Sequence, residues 1–274
     1  MKVVSTIAEV RAARTDMPSL GLVPTMGFLH PGHLSLVKRA KAECGLAAAS
    51  IFVNPSQFGP NEDFGRYPRA RERDLALLEA EGCDLVFIPE VSEIYPDGFD
   101  ARIEIGGVTE GLEGASRPGH FSGVATVVAK LFNIFQPDRA YFGQKDAQQC
   151  AVIRKLVRDL DMPLEVIICE TVREADGLAM SSRNAYLSAE ERPRATVLIR
   201  ALRAAAASDS RNAAVLRDLM TSVVAAEPLA QLDYASAADP GSLQELDTLG
   251  DRGALLSLAV RFSGARLIDN LIIP

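Results

Sequence analysis

The chain has 274 residues, of which 48% are hydrophobic and 24% are charged, and its formal net charge is -7. A chain of this length can bury a sizeable core, and its size predicts one large domain or two unequal ones. The acidic balance argues against broad binding to nucleic acid or to a membrane surface, because both require a basic field. No nucleic-acid or membrane partner is therefore expected.

The N-terminal stretch carries charged residues too closely spaced for a signal peptide. Glu9, Arg11 and Arg14 interrupt its apolar run, whereas a signal peptide needs an unbroken apolar region. No other stretch approaches the roughly 18 apolar residues of a membrane span. These features predict a cytoplasmic enzyme or binding protein.

The four cysteines are spread along the chain and form no CxxC pair. Cys44, Cys83, Cys150 and Cys169 lie mostly beside apolar segments. In a cytosolic protein this arrangement is typical of reduced thiols in the core, so neither a disulfide nor a metal site is predicted from them.

Short apolar runs alternate with longer amphipathic ones over the first two thirds of the chain. This alternation predicts βαβ units around a parallel sheet covered on both faces, and the expected fold class is a Rossmann-like α/β domain. The predicted strands are residues 20–25, 47–53, 84–90, 139–143 and 164–172. The predicted helices are residues 34–44, 70–80, 121–135 and 147–160.

The sequence changes character after Val172. Ser188 and Glu191 form a capping-box pattern, and two Ala- and Leu-rich helices and three late strands follow. We therefore predict an α/β domain over residues 1–172 and a smaller α+β domain, with a lid-like role, over residues 173–274. The residues at this boundary are expected to face a cleft between the domains.

Two of the three histidines in the chain, His30 and His33, flank a Pro-Gly pair in "VPTMGFLHPGHLSLV". A predicted strand ends near Thr25, and a helix is predicted to begin near Leu34. Backbone N–H groups at a helix N-terminus favour anions, and two nearby imidazoles add hydrogen bonds to the same anion. The loop therefore predicts a phosphate site suited to a triphosphate.

One alternative for the histidines is a zinc site. His30 and His33 together with His120 could supply three imidazoles, but no HExxH motif accompanies them. The common nucleotide motifs GxGxxG and GxxxxGK[ST] are also missing, as is the GxSxG of serine hydrolases. An ATP site in this chain would therefore use another design.

The "HPGH" tetrapeptide resembles the HxGH signature of the nucleotidyltransferase superfamily, which includes class I aminoacyl-tRNA synthetases. Further stretches occur in the order found in the pantothenate synthetase family: "SIFVNPSQFGPNEDFGRYPR", "RPGHFSGVATVVAKLFNIFQPDRAYFGQKDAQQ" and "AMSSRNAYLS". The resemblance covers most of the first 190 residues. It implies a homodimeric ligase that joins (R)-pantoate to β-alanine with ATP, through a pantoyl adenylate, and releases AMP and pyrophosphate.

The resemblance also implies an ATP site. In similar proteins the second histidine of the motif, here His33, is the proton donor, and His30, Lys145 and Arg183 complete the catalytic set. The "MSSRN" stretch occupies the place of the KMSKS-like loop of the superfamily. The implied ATP-binding residues are Met26, Gly27, Phe28, Leu29, His30, Pro31, Gly32, His33, Gly143, Gln144, Lys145, Asp146, Val172, Met180, Ser181, Ser182 and Arg183.

For pantoate, the resemblance selects two neutral amides, Gln57 and Gln149. Such amides can donate to a carboxylate without neutralising it as a nucleophile. Met26 and Phe58 are expected to pack against the gem-dimethyl group. The remaining candidates for binding pantoate or β-alanine are Asn54, Tyr67, Arg117 and His120, of which Arg117 and His120 could equally be structural.

Magnesium is implied as the companion of ATP. Phosphate oxygens and water would chiefly hold it, with Asp74 as a carboxylate partner. The Gly- and Pro-rich stretch 59–68 is the expected lid that shields the adenylate from water.

The lysine motif departs from many relatives, in which it reads FGEKD followed by an aromatic residue. This chain has Gln144 and Ala147 instead, which predicts altered packing with retained activity. Two other functions stay open at this point: a nucleotidyltransferase that forms an adenylylated product without amide ligation, and a non-catalytic adenine-nucleotide sensor.

Overall fold

The structure, a computed structural model, describes residues 1–60 and 62–274. Its larger sheet has parallel strands in the order β1-β4-β3-β2-β5-β6, which confirms the predicted Rossmann-like class. The first strand was not predicted, because it is short and largely exposed. The strands are β1 (Lys2–Val4), β2 (Gly21–Thr25), β3 (Ala47–Ile51), β4 (Leu85–Phe87), β5 (Arg139–Gly143) and β6 (Glu165–Cys169).

Most helices lie on the two faces of this sheet or beside the second sheet, and none in the described part of the chain is long and apolar enough to cross a membrane. They are α1 (Ile7–Arg14), α2 (Pro31–Cys44), α3 (Arg71–Ala80), α4 (Val91–Ile94), α5 (Leu112–Ser116), α6 (His120–Phe135), α7 (Ala147–Asp159), α8 (Glu191–Arg194), α9 (Val197–Ala206) and α10 (Ala213–Ala225). Short 3₁₀ turns cover Pro55–Gln57, Phe64–Arg66, Gln144–Asp146 and Ser182–Tyr186.

Two hydrophobic clusters cover the opposite faces of the large sheet. Successive residues of β2 enter different clusters: Leu22 packs with residues of α1, α6 and α7, and Val23 packs with residues of α2 and α3. Because both faces are buried, the strands show no polar alternation, as a parallel sheet between two helix layers requires.

The helices that carry the site begin close to where the sequence predicts, except α2. This helix starts at Pro31, three residues before the predicted start near Leu34. Proline fits the first helical position because its missing N–H would have no partner there, and the side chain of His30 caps the helix. His33 therefore lies inside the first turn of the helix.

The chain after residue 190 forms a second unit with its own hydrophobic cluster, which Leu178 also joins. Its antiparallel strands are β7 (Gln231–Ala238), β8 (Ala254–Arg261) and β9 (Arg266–Ile273), and α9 and α10 contribute to the same cluster. The reciprocal bonds of the predicted capping box are present between Ser188 and Glu191, at 2.9 and 3.2 Å. The position of the domain boundary, between residues 172 and 173, stays a prediction.

The four cysteines are free thiols. Cys83, Cys150 and Cys169 are buried, and burial raises the pKa of Cys83 to about 11. Thiols in such an environment remain protonated and react slowly.

Close packing of α6 on the chain after β3 sets the position of Gln57. A Cβ atom added at Gly123 would lie 2.3 Å from the carbonyl oxygen of Ser56 and 2.7 Å from the nitrogen of Gln57. The amide of Asn54 also donates to the carbonyl of Gly123, at 3.2 Å. Glycine is thus required where the two backbones meet.

We predict that Gly123→Ala lowers the free energy of unfolding by about 1–3 kcal/mol, because the added methyl group forces these backbones apart. Urea denaturation of the purified variant measures the loss. Gly106→Ala is the control, since a Cβ atom there meets nothing within 4 Å. Equal stability of the two variants would contradict this account of the packing.

Candidate active site

The site lies at the carboxyl ends of the parallel strands, where the strand order reverses. In the sheet, β3, β4 and β1 lie on one side of β2, whereas β5 and β6 lie on the other side. Side chains that follow β2, β3, β5 and β6 line one cleft there. Such a topological switch point is the usual ligand site of open α/β sheets.

Most of the predicted site residues line this cleft. They are Met26, His30, Gly32, His33, Asn54, Gln57, Tyr67, Arg117, His120, Gly143, Lys145, Asp146, Gln149, Val172, Met180, Ser181, Ser182 and Arg183. The structure thus brings segments as distant as residues 26 and 183 to one place.

The two histidines of the "HPGH" loop form a reciprocal cap on α2. The Nδ1 atom of His30 accepts from the N–H of Gly32 at 3.2 Å, and the Nδ1 atom of His33 accepts from the N–H of His30 at 3.4 Å. Their ring centroids are 4.0 Å apart. A Cβ atom at Gly32 would lie 2.9 Å from the ring of His30, so only glycine lets this imidazole fold over the helix start.

This cap changes which groups can meet an anion. The sequence predicted that backbone N–H groups of the helix start would do so, but His30 already satisfies the N–H of Gly32, and the N–H of His33 donates to the carbonyl of His30 at 2.8 Å. Since both Nδ1 atoms are acceptors, a neutral imidazole carries its proton on Nε2. The two Nε2–H groups are therefore the donors left for a phosphate.

Both imidazoles are neutral at physiological pH. Burial lowers the pKa of His30 to about 4, and the positive charge of Lys145 adds to this effect. Burial likewise lowers the pKa of His33 to about 3, assisted by His30. Neutral imidazoles can donate hydrogen bonds here, but their protonation would have to await an anionic ligand.

The cationic side of the cleft comes from two short turns. Lys145 lies in the 3₁₀ turn directly after β5, and its Nζ atom is 3.4 Å from Asp146. Ser181 caps the later turn by accepting from the N–H of Arg183 at 3.2 Å. Both turns thereby present a charged side chain to the same cleft.

Two acidic residues that the sequence analysis did not single out pair with the arginines of the cleft. Asp63 accepts from two nitrogens of Arg183, both at 3.0 Å, and Glu62 accepts from two nitrogens of Arg117, both at 2.7 Å. Burial opposes ionisation of Asp63, yet its bonds to Arg183 hold its pKa below the usual range. The only signal in the sequence was two adjacent acids in a Gly- and Pro-rich stretch.

The predicted pantoate side of the cleft contains neutral amides. The Nε2 atom of Gln57 donates to the sulfur of Met26 at 3.2 Å, and its Oε1 atom accepts from Asn54 at 3.1 Å. Gln149 lines the cleft, whereas its neighbour Gln148 is buried and binds the carbonyls of the chain before α5.

His120 orients the backbone of Gln57. Its Nδ1 atom bonds the carbonyl of Gln57 at 2.9 Å, and its Nε2 atom lies 3.1 Å from Arg117. Burial lowers the pKa of His120 to about 4, and the positive charge of Arg117 adds to this effect. Both ring nitrogens of His120 have partners, so His120 is not free to serve as the third ligand of a zinc site. Within residues 1–60 and 62–274 no group of three or more His, Cys, Asp or Glu side chains could hold a metal ion.

Asp74 binds the backbone of the turn that follows β2. Its two carboxylate oxygens accept from the backbone N–H groups of Phe28 and Leu29, at 2.7 and 2.8 Å, and the residue is 1% exposed and does not line the cleft. Asp74 is therefore an anchor for the turn after β2, and the magnesium contact expected of it stays a prediction.

Several other predicted residues support the cleft without lining it. Phe28 adopts a left-handed backbone conformation, with φ of 49°, and its carbonyl accepts from Ser182. The side chain of Gln144 points away, toward Asn270. The predicted residues that do not line the cleft are Gly27, Phe28, Leu29, Pro31, Gln144 and, for the gem-dimethyl contact, Phe58, and their binding roles stay predictions.

The parallel sheet has a histidine-capped helix at its switch point, and this helix faces a lysine and an arginine across the cleft. This arrangement defines a nucleotide-type α/β enzyme site. The model of the pantoate-beta-alanine ligase family matches residues 2–272. A pantothenate synthetase from Herpetosiphon aurantiacus is 65% identical over 99% of this chain and 100% of its own length. One from Chloroflexus aurantiacus is 61% identical over 100% and 98%.

Solved structures agree with these matches. A pantothenate synthetase from Thermus thermophilus superposes with a TM-score of 0.96 at 51% identity, with full coverage of both chains. A pantoate-beta-alanine ligase from Francisella tularensis, with a TM-score of 0.83 and 37% identity, covers 99% of this chain and 97% of its own. The chain belongs to the pantoate–β-alanine ligase family, and the ligase function is supported over a plain nucleotidyltransferase.

We predict that Asp74→Asn lowers the free energy of unfolding by about 1–3 kcal/mol, because asparagine offers one oxygen where two N–H groups need acceptors. Urea denaturation measures this loss. Glu72→Gln on the same helix is the control, since that side chain is exposed. If the two variants unfold at the same urea concentration, the anchoring role of Asp74 is wrong.

The lowered histidine pKa values predict a pH-dependent stability. Between about pH 6.5 and pH 4 the unfolded chain binds protons that the folded chain excludes, so stability falls as pH falls through this window and is unaffected by these groups above it. His33→Gln should lose less stability than the parent chain between about pH 7 and pH 5. Urea denaturation at both pH values tests this, and equal losses would contradict it.

Proposed function

We propose that this chain condenses (R)-pantoate with β-alanine to form pantothenate, with cleavage of ATP to AMP and pyrophosphate. The observation that carries the proposal is the convergence in one cleft of the capped histidine pair, Lys145 and Arg183 with the neutral amides of Gln57 and Gln149. The family match over residues 2–272 supports the same reaction.

The relatives support both ATP and β-alanine as substrates. The Francisella tularensis ligase is described in complex with beta-gamma ATP and beta-alanine. The present chain places donors for a polyphosphate on one side of its cleft and amides for a hydroxy acid on the other. We infer that ATP binds against the turns at residues 143–146 and 180–183, and that pantoate binds near Gln57 and Gln149.

In the first step the pantoate carboxylate attacks the α-phosphorus of ATP, and the bond to pyrophosphate breaks. Negative charge grows on the phosphoryl oxygens and on the leaving group, so fixed donors aimed at them lower the barrier. The Nε2–H groups of His30 and His33 and the charges of Lys145 and Arg183 are the donors for this task. His33 is neutral in the free enzyme, so it would first meet a phosphate as a hydrogen-bond donor. It could donate a proton only after bound ATP has raised the pKa of His33.

In the second step the amine of β-alanine attacks the acyl carbon of the adenylate, AMP departs with the electron pair of the broken bond, and the nitrogen loses a proton to solvent as the amide forms. The adenylate must be kept from water until then. The stretch 59–68 is the proposed shield, because Glu62 and Asp63 tie it to the two arginines of the cleft. Asn61 in this stretch lies outside the described residues.

Magnesium fits this site as the companion of the ATP phosphates. Asp146 is a half-exposed carboxylate that lines the cleft beside Lys145, and the described residues offer no complete protein cage. Bound magnesium would supply charge neutralisation of the polyphosphate, with phosphate oxygens and water as its main ligands. We also propose a cytoplasmic homodimer, on the resemblance to the family alone.

The direct test is a product assay with the purified chain. With ATP, magnesium and (R)-pantoate, we predict that AMP and pantothenate appear together only when β-alanine is added. Release of pyrophosphate without AMP would instead show a plain nucleotidyltransferase, and no turnover would show a sensor or a different acid substrate.

We predict that His33→Ala folds but forms the adenylate at least about a hundredfold more slowly, because it loses a donor to the transition state. Pantoate-dependent exchange of labelled pyrophosphate into ATP measures this step alone. Lys38→Ala is the matched control, since Lys38 is an exposed residue of the same helix. An exchange rate for His33→Ala within about twofold of the control would exclude the assigned role.

A further inference from the structure

The final strand carries two adjacent polar residues in an otherwise apolar segment. Asp269 and Asn270 lie in β9, and they are only 2% and 4% exposed. Burial of a carboxylate and an amide costs free energy unless their hydrogen bonds are satisfied. Asp269 accepts from the backbone N–H of Asn270 within β9, at 2.8 Å, and the other side-chain partners of both residues lie in segments that form the cleft.

Asn270 binds the turn that carries Lys145. Its Nδ2 atom donates to the carbonyl oxygens of Gln144 and Lys145, at 3.0 and 2.9 Å, and its Oδ1 atom accepts from the side chain of Gln144 at 3.2 Å. This 3₁₀ turn has no side-chain cap of its own. Asn270 therefore supplies the bonds that fix the backbone from which the Lys145 side chain extends.

Asp269 binds the other segment of the proposed ATP site. It accepts from two nitrogens of Arg173, at 2.6 and 3.0 Å, and Arg173 also donates to the carbonyl of Gly177 at 3.1 Å. The N–H of Met180 in turn donates to the carbonyl of Val172 at 3.0 Å. One buried ion pair thus fixes the hairpin that presents Val172 and Met180 to the cleft.

We propose that Asp269 and Asn270 are positioning residues for the ligase reaction: Asn270 holds Lys145 in the geometry for adenylate formation, and Asp269 holds the hairpin 172–180 for nucleotide binding. The inference rests on the proposed function. It also accounts for Gln144, whose side chain meets Asn270 and no other described residue by hydrogen bond. In this way β9 links both proposed halves of the ATP site to the second unit.

The two residues have separable kinetic effects. A lysine that stabilises the transition state acts on the rate of the chemical step, so loss of its anchor lowers kcat. A hairpin that binds the nucleotide in the ground and transition states alike acts on the KM for ATP. Asn270→Ala should therefore lower kcat for adenylate formation by about tenfold to a hundredfold, and Asp269→Asn should chiefly raise the KM for ATP.

The decisive experiment is a double-mutant cycle on Asn270 and Lys145, read by pantoate-dependent exchange of labelled pyrophosphate into ATP. If Asn270 acts through Lys145, Asn270→Ala costs less than about twofold in a chain that already carries Lys145→Ala. If the two losses multiply, Asn270 acts independently of Lys145 and the inference is overturned. Asn270→Asp, which keeps the side-chain shape but removes both donors, replaces Asn270→Ala should the latter fail to fold.

Asp239→Asn controls for loss of stability in the second unit. Asp239 accepts from the N–H groups of Gly241 and Ser242, at 3.0 and 2.8 Å, in a turn away from the cleft. Its variant should lower the melting temperature and leave kcat and the KM for ATP unchanged. An equal loss of kcat in Asp239→Asn would overturn the inference. Inactivity of the parent chain would overturn the proposed function, and that result is separate because it is measured first.

Discussion

The reversal of strand order beside β2 is the constraint on which the rest of the structure depends. A parallel sheet directs every strand's carboxyl end to one edge, and at the reversal the neighbouring connections leave toward opposite sides of the sheet, which opens a crevice. The turn into α2 falls on one side of that crevice, and the turn after β5 falls on the other. The histidine pair and Lys145 therefore face each other although more than 110 positions separate them in the sequence.

Electrostatic pairing explains how an acidic chain keeps a site for anions. Arg183, Arg117 and Arg173 each form a two-bond contact with a carboxylate, in the first two cases from the stretch 59–68. Partly buried cations without partners would be costly, so the carboxylates stabilise them while no nucleotide is bound. In the proposed function a polyphosphate competes with Asp63 for Arg183, and this competition would couple nucleotide binding to the position of the proposed shield.

Burial keeps the two histidines of the cleft uncharged, whereas the arginines stay charged beside their carboxylates. His30 and His33 are partly buried beside Lys145 and stay neutral, and in the proposed mechanism they act through their N–H groups. Their Nδ1 atoms are fixed by the start of α2, and a donor held in place before the substrate arrives needs no reorganisation in the transition state. The same two imidazoles thus cap the helix and orient their Nε2–H groups for the proposed chemistry.

The sequence by itself determined the alternation of strands and helices, the two-part organisation and the motifs that carry the site, because hydrophobic periodicity and turn residues act over short distances along the chain. It also placed Gln57, Gln149, Lys145 and Arg183 in the site by resemblance, and all four line the cleft. The tertiary structure alone decided that Asp74 anchors a turn, that Glu62 and Asp63 pair with arginines, and that β9 holds the Lys145 turn. These contacts join residues from about 45 to more than 120 positions apart, and such pairings depend on where the packed elements bring side chains together, which no local pattern records.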